Sequence, residues 1–99
     1  MPKGYVIFTE NIQDQEGMQA YGQVAGPTLG DASVLVVDQD PEVLEGEWHG
    51  NQTVILEFDS VEAARAWYES TEYSNAKLLR QAAAECNAVI VSGYERRAG

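Results

Sequence analysis

The chain is 99 residues long, which suits one domain and leaves no room for a second. Sixteen acidic residues stand against six basic ones, a formal charge of −10, and the six cations (Lys3, Arg65, Lys77, Arg80, Arg96, Arg97) form no stripe; nucleic acid and anionic membrane surfaces are therefore disfavoured as partners, because both are bound through clustered positive charge. An apolar content of 44% is enough for a packed core, and no run approaches the roughly 20 apolar residues of a membrane helix.

The opening Met1-Pro2-Lys3-Gly4-Tyr5 runs straight into a strand with no signal-peptide pattern, so the expected compartment is the cytoplasm. Residues 5–10 (YVIFTE) are rich in β-branched and aromatic side chains and read as a first strand. Asp14 is placed to cap a helix whose Met18, Tyr21 and Ala25 recur at helical spacing, with Gly26-Pro27 ending it; Gly17 and Gly22 inside it each cost about 1 kcal/mol relative to Ala, so docking must hold it. After Gly30-Asp31 comes a second strand at 34–37, a turn or bulge at 38–41, the segment 43–46, a loop at 47–52 and a third strand at 53–58 (TVILEF), the strands forming an antiparallel hairpin. Asp59 and Glu62 have the spacing of a capping box before a helix with Ala64, Trp67 and Tyr68 on one face. Ser70-Thr71 interrupts it. A further helix at about 72–84 follows, with Tyr73, Ala76, Leu79 and Ala83 along one side, then a last strand at 88–92 (AVIVS) and a frayed end at 96–99.

The order β, α, β, β, α, β predicts one α+β domain of the ferredoxin-like βαββαβ type, a four-stranded antiparallel sheet with its helices on one face, with an ordered core of about residues 3–95. Its strands do not alternate apolar with polar: Tyr5 and Ile7 oppose Val6 and Phe8, Ile55 opposes Val54 and Leu56, and the second and last strands are apolar on both sides. Helices on one face leave the other apolar face bare. A second copy packed sheet to sheet is the simplest cover, so the expected partner is a homodimer, a dimeric α+β barrel with room for a small molecule.

The candidate chemistry is sparse. His49, the only histidine, sits beside Trp48 in the hairpin loop; it has the chemistry of a general base or haem ligand, and the plainer alternative is an exposed loop residue. Glu57 alternates with Leu56 and Phe58, so its carboxylate points into the space between subunits, as a proton-transfer group or as the partner of Arg80 or a backbone donor. Tyr21, Trp67, Tyr68 and Tyr73 are candidate walls of a pocket for an aromatic or quinone-like ligand, with core packing as the alternative. Cys86, the single cysteine, excludes an internal disulfide and has no sequence-adjacent histidine to activate it. No metal spacing, glycine-rich phosphate loop or nucleophile elbow is present, and no cofactor is expected.

The run Leu56-Glu57-Phe58-Asp59-Ser60-Val61-Glu62-Ala63-Ala64-Arg65-Ala66-Trp67-Tyr68, then Ser70, Glu72-Tyr73, Ala76-Lys77 and Arg80, resembles the uncharacterised domain-of-unknown-function family numbered 1330. Lys3-Gly4-Tyr5, Ala25-Gly26-Pro27-Thr28-Leu29, Leu44-Glu45-Gly46-Glu47-Trp48 and Val91-Ser92-Gly93 are similar too, so the resemblance spans nearly the whole chain. It implies the dimeric α+β barrel superfamily, whose folds host monooxygenases, isomerases, haem-dependent enzymes and members of no known activity. Two departures stand out. The family pattern has a longer glycine-rich connection before the second strand and basic residues near the second and third strands, where this chain has Gly30-Asp31-Ala32-Ser33, Leu35-Val36-Val37 and Asn51-Gln52; an anion-holding role of such positions does not carry over. Three readings follow: a homodimer binding a small apolar or aromatic molecule between sheet and helices, a cofactor-independent monooxygenase- or isomerase-type enzyme using Glu57 or His49, and a structural or regulatory dimer without ligand.

Overall fold

The computed structural model describes residues 2–95; the expected frayed end at 96–99 lies outside the described residues. In chain order the elements are β1 (Gly4–Ile12), α1 (Gln15–Ala25), a 3-10 turn (Gly26–Leu29), β2 (Ser33–Asp38), β3 (Gln52–Phe58), α2 (Val61–Glu69), α3 (Thr71–Ala83) and β4 (Ala84–Ser92). The sheet order is β2-β3-β1-β4 with every neighbour antiparallel, the ferredoxin-like α+β topology.

Local chemistry accounts for the helix ends. Asp14 caps α1 by accepting the Gly17 N–H, and α1 ends at Ala25 as Gly26-Pro27 predicts, the chain passing directly into the 3-10 turn that contains Pro27, which has no N–H to donate. The capping box expected at Asp59 does not form. β3 runs through Phe58, so the cap falls one residue later on Ser60, whose hydroxyl accepts the Ala63 N–H at 3.0 Å; Glu62 is then too early in the helix to reach back, and Asp59 meets Lys3 at 3.3 Å. Ser70 divides α2 from α3: its hydroxyl donates to the Trp67 carbonyl at 2.7 Å and accepts the Tyr73 N–H at 3.2 Å, closing one helix and opening the next.

Two strand boundaries also differ from the sequence reading. β4 begins at Ala84, four residues before the expected start, because the end of α3 swings into extended backbone that pairs with Ile12 and Asn11; the weak β-propensity of Ala84-Glu85-Cys86-Asn87 is overridden by that pairing. Residues 43–46 carry no strand. Pairing of β2 with β3 ends at Asp38↔Thr53, where the Asp38 carboxylate accepts the Asp40 N–H and Pro41 follows, so 39–51 is one long loop.

The core lies between the sheet and the helices. Val6 and Phe8 of β1 and Leu56 and Phe58 of β3 meet Ala64, Trp67, Tyr73 and Ala76 of α2 and α3. Gly4 is obligatory there, since a Cβ would collide with the Ser60 backbone at the start of α2. The buried stripe of α3 is Tyr73, Ala76, Arg80 and Ala83; Leu79, expected on it, is 37% exposed while Arg80 is 3% exposed. The spacing of 3, 4 and 3 residues makes Arg80 a member of the apolar face despite its charge. On the opposite face Tyr5, Ile7, Val36, Ile55, Val89 and Val91 sit in adjacent register with no helix over them, and Val89 is 51% exposed.

Candidate functional site

The helix side of the sheet holds a cavity of about 340 Å³ between β1, β3, the edge strand β2 and α1. Phe8, Val54 and Leu56 form its floor, Met18 and Tyr21 of α1 its far wall, Leu29 and Trp67 one end, and Val34 and Val37 of β2 its rim. Trp67 is fixed from three sides: its ring stacks on Tyr73 with centroids 3.9 Å apart, it tilts against Phe58 at 5.3 Å, and its Nε1–H donates to Thr28 Oγ1 at 2.9 Å. Thr28 in turn donates to the Ala25 carbonyl at 2.6 Å, which ties the end of α1 to α2 and holds that wall in place.

Into this apolar space project two buried polar groups. Glu10 is 1% exposed and stands on the same face of β1 as Val6 and Phe8; Gln52, its direct partner on β3, donates Nε2–H to Glu10 Oε1 at 2.7 Å. Burial raises the Glu10 carboxyl above the usual carboxylate range, opposed by the Gln52 hydrogen bond and the charge of Arg80. Gly50 makes this pairing possible. Its φ of +85° and missing side chain let the loop descend onto the Glu10 backbone, where Asn51 N–H donates to the Glu10 carbonyl at 2.8 Å.

A second polar group reaches the cavity from α1. The Tyr21 hydroxyl shares a hydrogen bond of 2.9 Å with that of Tyr73, and Arg80 Nε–H donates to Tyr73 Oη at 3.2 Å. The guanidinium lies over the Phe8 ring at 4.8 Å and beside the Cys86 thiol, and no ion pair among the described residues includes it. Burial pushes the Tyr21, Tyr73 and Cys86 ionisations upward, so these groups stay neutral while Arg80 stays charged.

The sequence candidates divide between the two faces. Tyr21 and Trp67 line the cavity; Tyr73 lies behind Trp67 and meets the site through its hydroxyl. Tyr68 stands apart, under Lys77 at 3.9 Å and near Val6 and Ile90. Glu57 and His49 are on the open face. Glu57 accepts the Tyr5 hydroxyl at 3.0 Å, not Arg80, which is on the other side of the sheet. His49 Nδ1 is 2.8 Å from Thr9 Oγ1 and its Nε2 is 3.6 Å from Glu85 Oε1, which draws the 39–51 loop across β1 towards β4. Glu10 and Gln52 escaped the sequence reading, although alternation already set Glu10 in line with Val6 and Phe8, and Arg80 entered it as a partner for Glu57, where the structure instead places it on Tyr73.

Sheet, helices and one-sided cavity define a ferredoxin-like α+β domain with room for a small molecule. The family model described as Domain of unknown function (DUF1330) matches residues 3–94, and the chain belongs to that family. A protein of unknown function from Rhodopseudomonas palustris superposes with a TM-score of 0.78 at 20% identity, over 96% of this chain and 85% of that one. SnoaB, a cofactor-independent oxygenase from Streptomyces nogalater, superposes with a TM-score of 0.68 at 6% identity over 97% of each chain. A dimeric ferredoxin-like protein of unknown function from Thermobifida fusca gives 0.59 at 11% identity, over 92% and 91%. These identities establish a common fold and nothing finer. No curated protein matches the chain.

Proposed function

We propose that this protein binds a small, largely apolar molecule in the cavity between its sheet and α1, and that it does so as a homodimer. The observation that carries the reading is a space of about 340 Å³ with an apolar floor and a buried carboxyl, Glu10, held at its side by Gln52. Apolar pockets with one or two fixed polar groups are the usual form of small-molecule sites.

The homodimer rests on the open sheet face. Tyr5, Ile7, Val36, Ile55, Val89 and Val91 make one continuous apolar surface, and the Thermobifida fusca protein of this fold is described as dimeric. Native mass spectrometry of the wild type is expected to give twice the chain mass, and Ile55→Asp, which sets a charge in the middle of that face, the monomer. A monomeric wild type at micromolar concentration refutes the pairing.

Ligand binding is tested by Trp67 fluorescence in a Trp48→Phe background, with 1,4-naphthoquinone as a quenching probe. Saturable quenching is expected. Gly22→Leu fills the cavity from α1, where a Cβ meets nothing within 4 Å, so it should weaken the probe at least tenfold without lowering stability. A folded Gly22→Leu protein that binds the probe as the wild type does removes the cavity as the site.

A second reading, cofactor-independent oxygenase- or isomerase-type chemistry, is favoured by the same buried carboxyl, which is shielded from water as a proton-transfer group needs to be. Glu10 then takes the role that the sequence suggested for Glu57 or His49. Its test is turnover lost in Glu10→Gln and retained in Glu57→Gln and His49→Ala.

A further inference from the structure

We infer that the ligand of this cavity is an apolar molecule carrying an amine, its nitrogen seated on the free oxygen of the Glu10 carboxyl beside the side-chain oxygen of Gln52. The inference rests on the cavity being a binding site and names what it takes.

Glu10 is the one carboxyl in the cavity lining, and no lysine, arginine or histidine lines it. An ionised carboxyl accepts at two oxygens with about four lone-pair sites in all. Among the described residues the Gln52 Nε2–H, 2.7 Å from Oε1, is the sole hydrogen-bond donor to this one. With its nitrogen turned to Glu10, Gln52 keeps its own side-chain oxygen free. Among the described residues every side-chain oxygen or nitrogen wholly closed off by the protein has a partner. Glu10 Oε2 and Gln52 Oε1 have none, so each keeps an open surface; the two residues are 1% and 8% exposed and both line the cavity, so that surface is turned to it. Two neighbouring acceptor oxygens thus meet the ligand at the side of an apolar space. They match a group with several N–H donors.

An amine fits whichever form the free carboxyl holds. Burial raises Glu10, while the Gln52 hydrogen bond and the Arg80 charge hold it down. Against an ionised Glu10 the ligand binds as its ammonium ion and no proton moves; against a protonated Glu10 the ammonium ion binds with release of one proton to solvent. Either way one proton lies between nitrogen and oxygen, and the bound pair is neutral overall. A ligand carboxylate would instead leave the pair negative in a lining that holds no cation. Arg80 lies over the Phe8 ring at 4.8 Å, outside that lining, and no ion pair among the described residues joins it to Glu10. The other titratable groups packed around the site, Tyr21 of α1, Tyr73 of α3 and Cys86 of β4, are kept neutral by burial. The formal charge of −10 also draws cations towards the protein and turns anions away.

The test is isothermal titration calorimetry at neutral pH and physiological salt with three probes on one ring system: 1-naphthylmethylamine, 1-naphthylmethanol and 1-naphthoate. The wild type is expected to bind the amine at least tenfold more tightly than the alcohol, and the carboxylate most weakly. Glu10→Gln, close in shape and uncharged, should bring amine and alcohol within about threefold while the alcohol binds as before. Glu57→Gln, which removes a carboxyl from the open face, should keep the full preference. Gly22→Leu, which fills the cavity, should weaken the amine at least tenfold, and this separates the cavity from adsorption to the acidic surface. Equal binding of amine and alcohol by the wild type, or a preference for the carboxylate, overturns the inference and leaves the cavity standing. An amine preference retained in Glu10→Gln, or amine binding untouched by Gly22→Leu, overturns it by placing the nitrogen elsewhere. Failure of all three probes to bind overturns the cavity reading itself.

Discussion

Replacing Tyr73 by Phe removes one oxygen and keeps the ring, which makes it a clean probe of the polar chain beneath α3. The aromatic contacts with Trp67 at 3.9 Å and Tyr68 at 5.5 Å are retained. What is lost is the acceptor for Arg80 Nε, a charged donor on a residue that is 3% exposed. Hydrogen bonds to charged groups contribute about 1.5–3 kcal/mol, and a buried donor left unpaired forfeits the desolvation cost in full. The expected destabilisation is therefore about 2 kcal/mol, or roughly 8–16 °C in Tm for a domain of this size. Tyr21→Phe should cost less, on the order of 0.5–1.5 kcal/mol, because Tyr21 faces the cavity, where water can take up the Tyr73 proton. Urea unfolding measures both, at one protein concentration for all variants so that association does not enter the comparison. A Tyr73→Phe loss below about 0.5 kcal/mol, or one no larger than that of Tyr21→Phe, would refute the assignment of Tyr73 as the acceptor of Arg80.

Glu10→Gln tests the buried carboxyl through pH. Because burial raises the folded-state pKa above the unfolded value, the wild type bears no penalty below the unfolded pKa and a growing one as pH rises towards the folded pKa. The stability difference should therefore move in favour of Glu10→Gln from about pH 4 upward and then level off, by about 1.4 kcal/mol for each tenfold by which folding weakens the acid; a difference independent of pH contradicts the burial effect. Gly50→Ala should cost about 2–3 kcal/mol, since a side chain there is strained at φ +85° and meets the Glu10 backbone, and hydrogen exchange should reveal loss of protection at Asn51 N–H. Ser60→Ala should cost about 1 kcal/mol and Asp59→Ala much less, which separates the helix cap from its neighbour in a thermal melt.

Much of this architecture was legible in the residues. Strand periodicity, the Asp14 cap, the break at Ser70 and the order of elements led to the ferredoxin-like fold, because each depends on neighbours within a few positions. The doubly apolar strands likewise marked the open face, with Tyr5 and Ile7 opposite Val6 and Phe8. Errors fell where two local signals competed. Asp59 and Ser60 are both good caps, and only the length of β3 chooses between them. Ala84 to Asn87 prolongs an alanine-rich helical pattern until pairing with β1 claims it for a strand.

The candidate site was legible only in part, for a different reason. Tyr21 and Trp67 draw attention as aromatics wherever they occur, and both line the cavity. Glu10 and Gln52 are 42 positions apart and ordinary in isolation; they form a buried pair only because antiparallel register sets one opposite the other. The sequence reading offers Arg80 as a partner for Glu57, but α3 carries it to the opposite side of the sheet, over Phe8. Periodicity within the chain thus determined which faces are apolar and what order the elements take, while the sheet register and helix docking decided which polar groups share the space they enclose. Side-chain chemistry at a site depends on distances through space, and those are set by pairing and packing between segments that carry no sequence signal of one another.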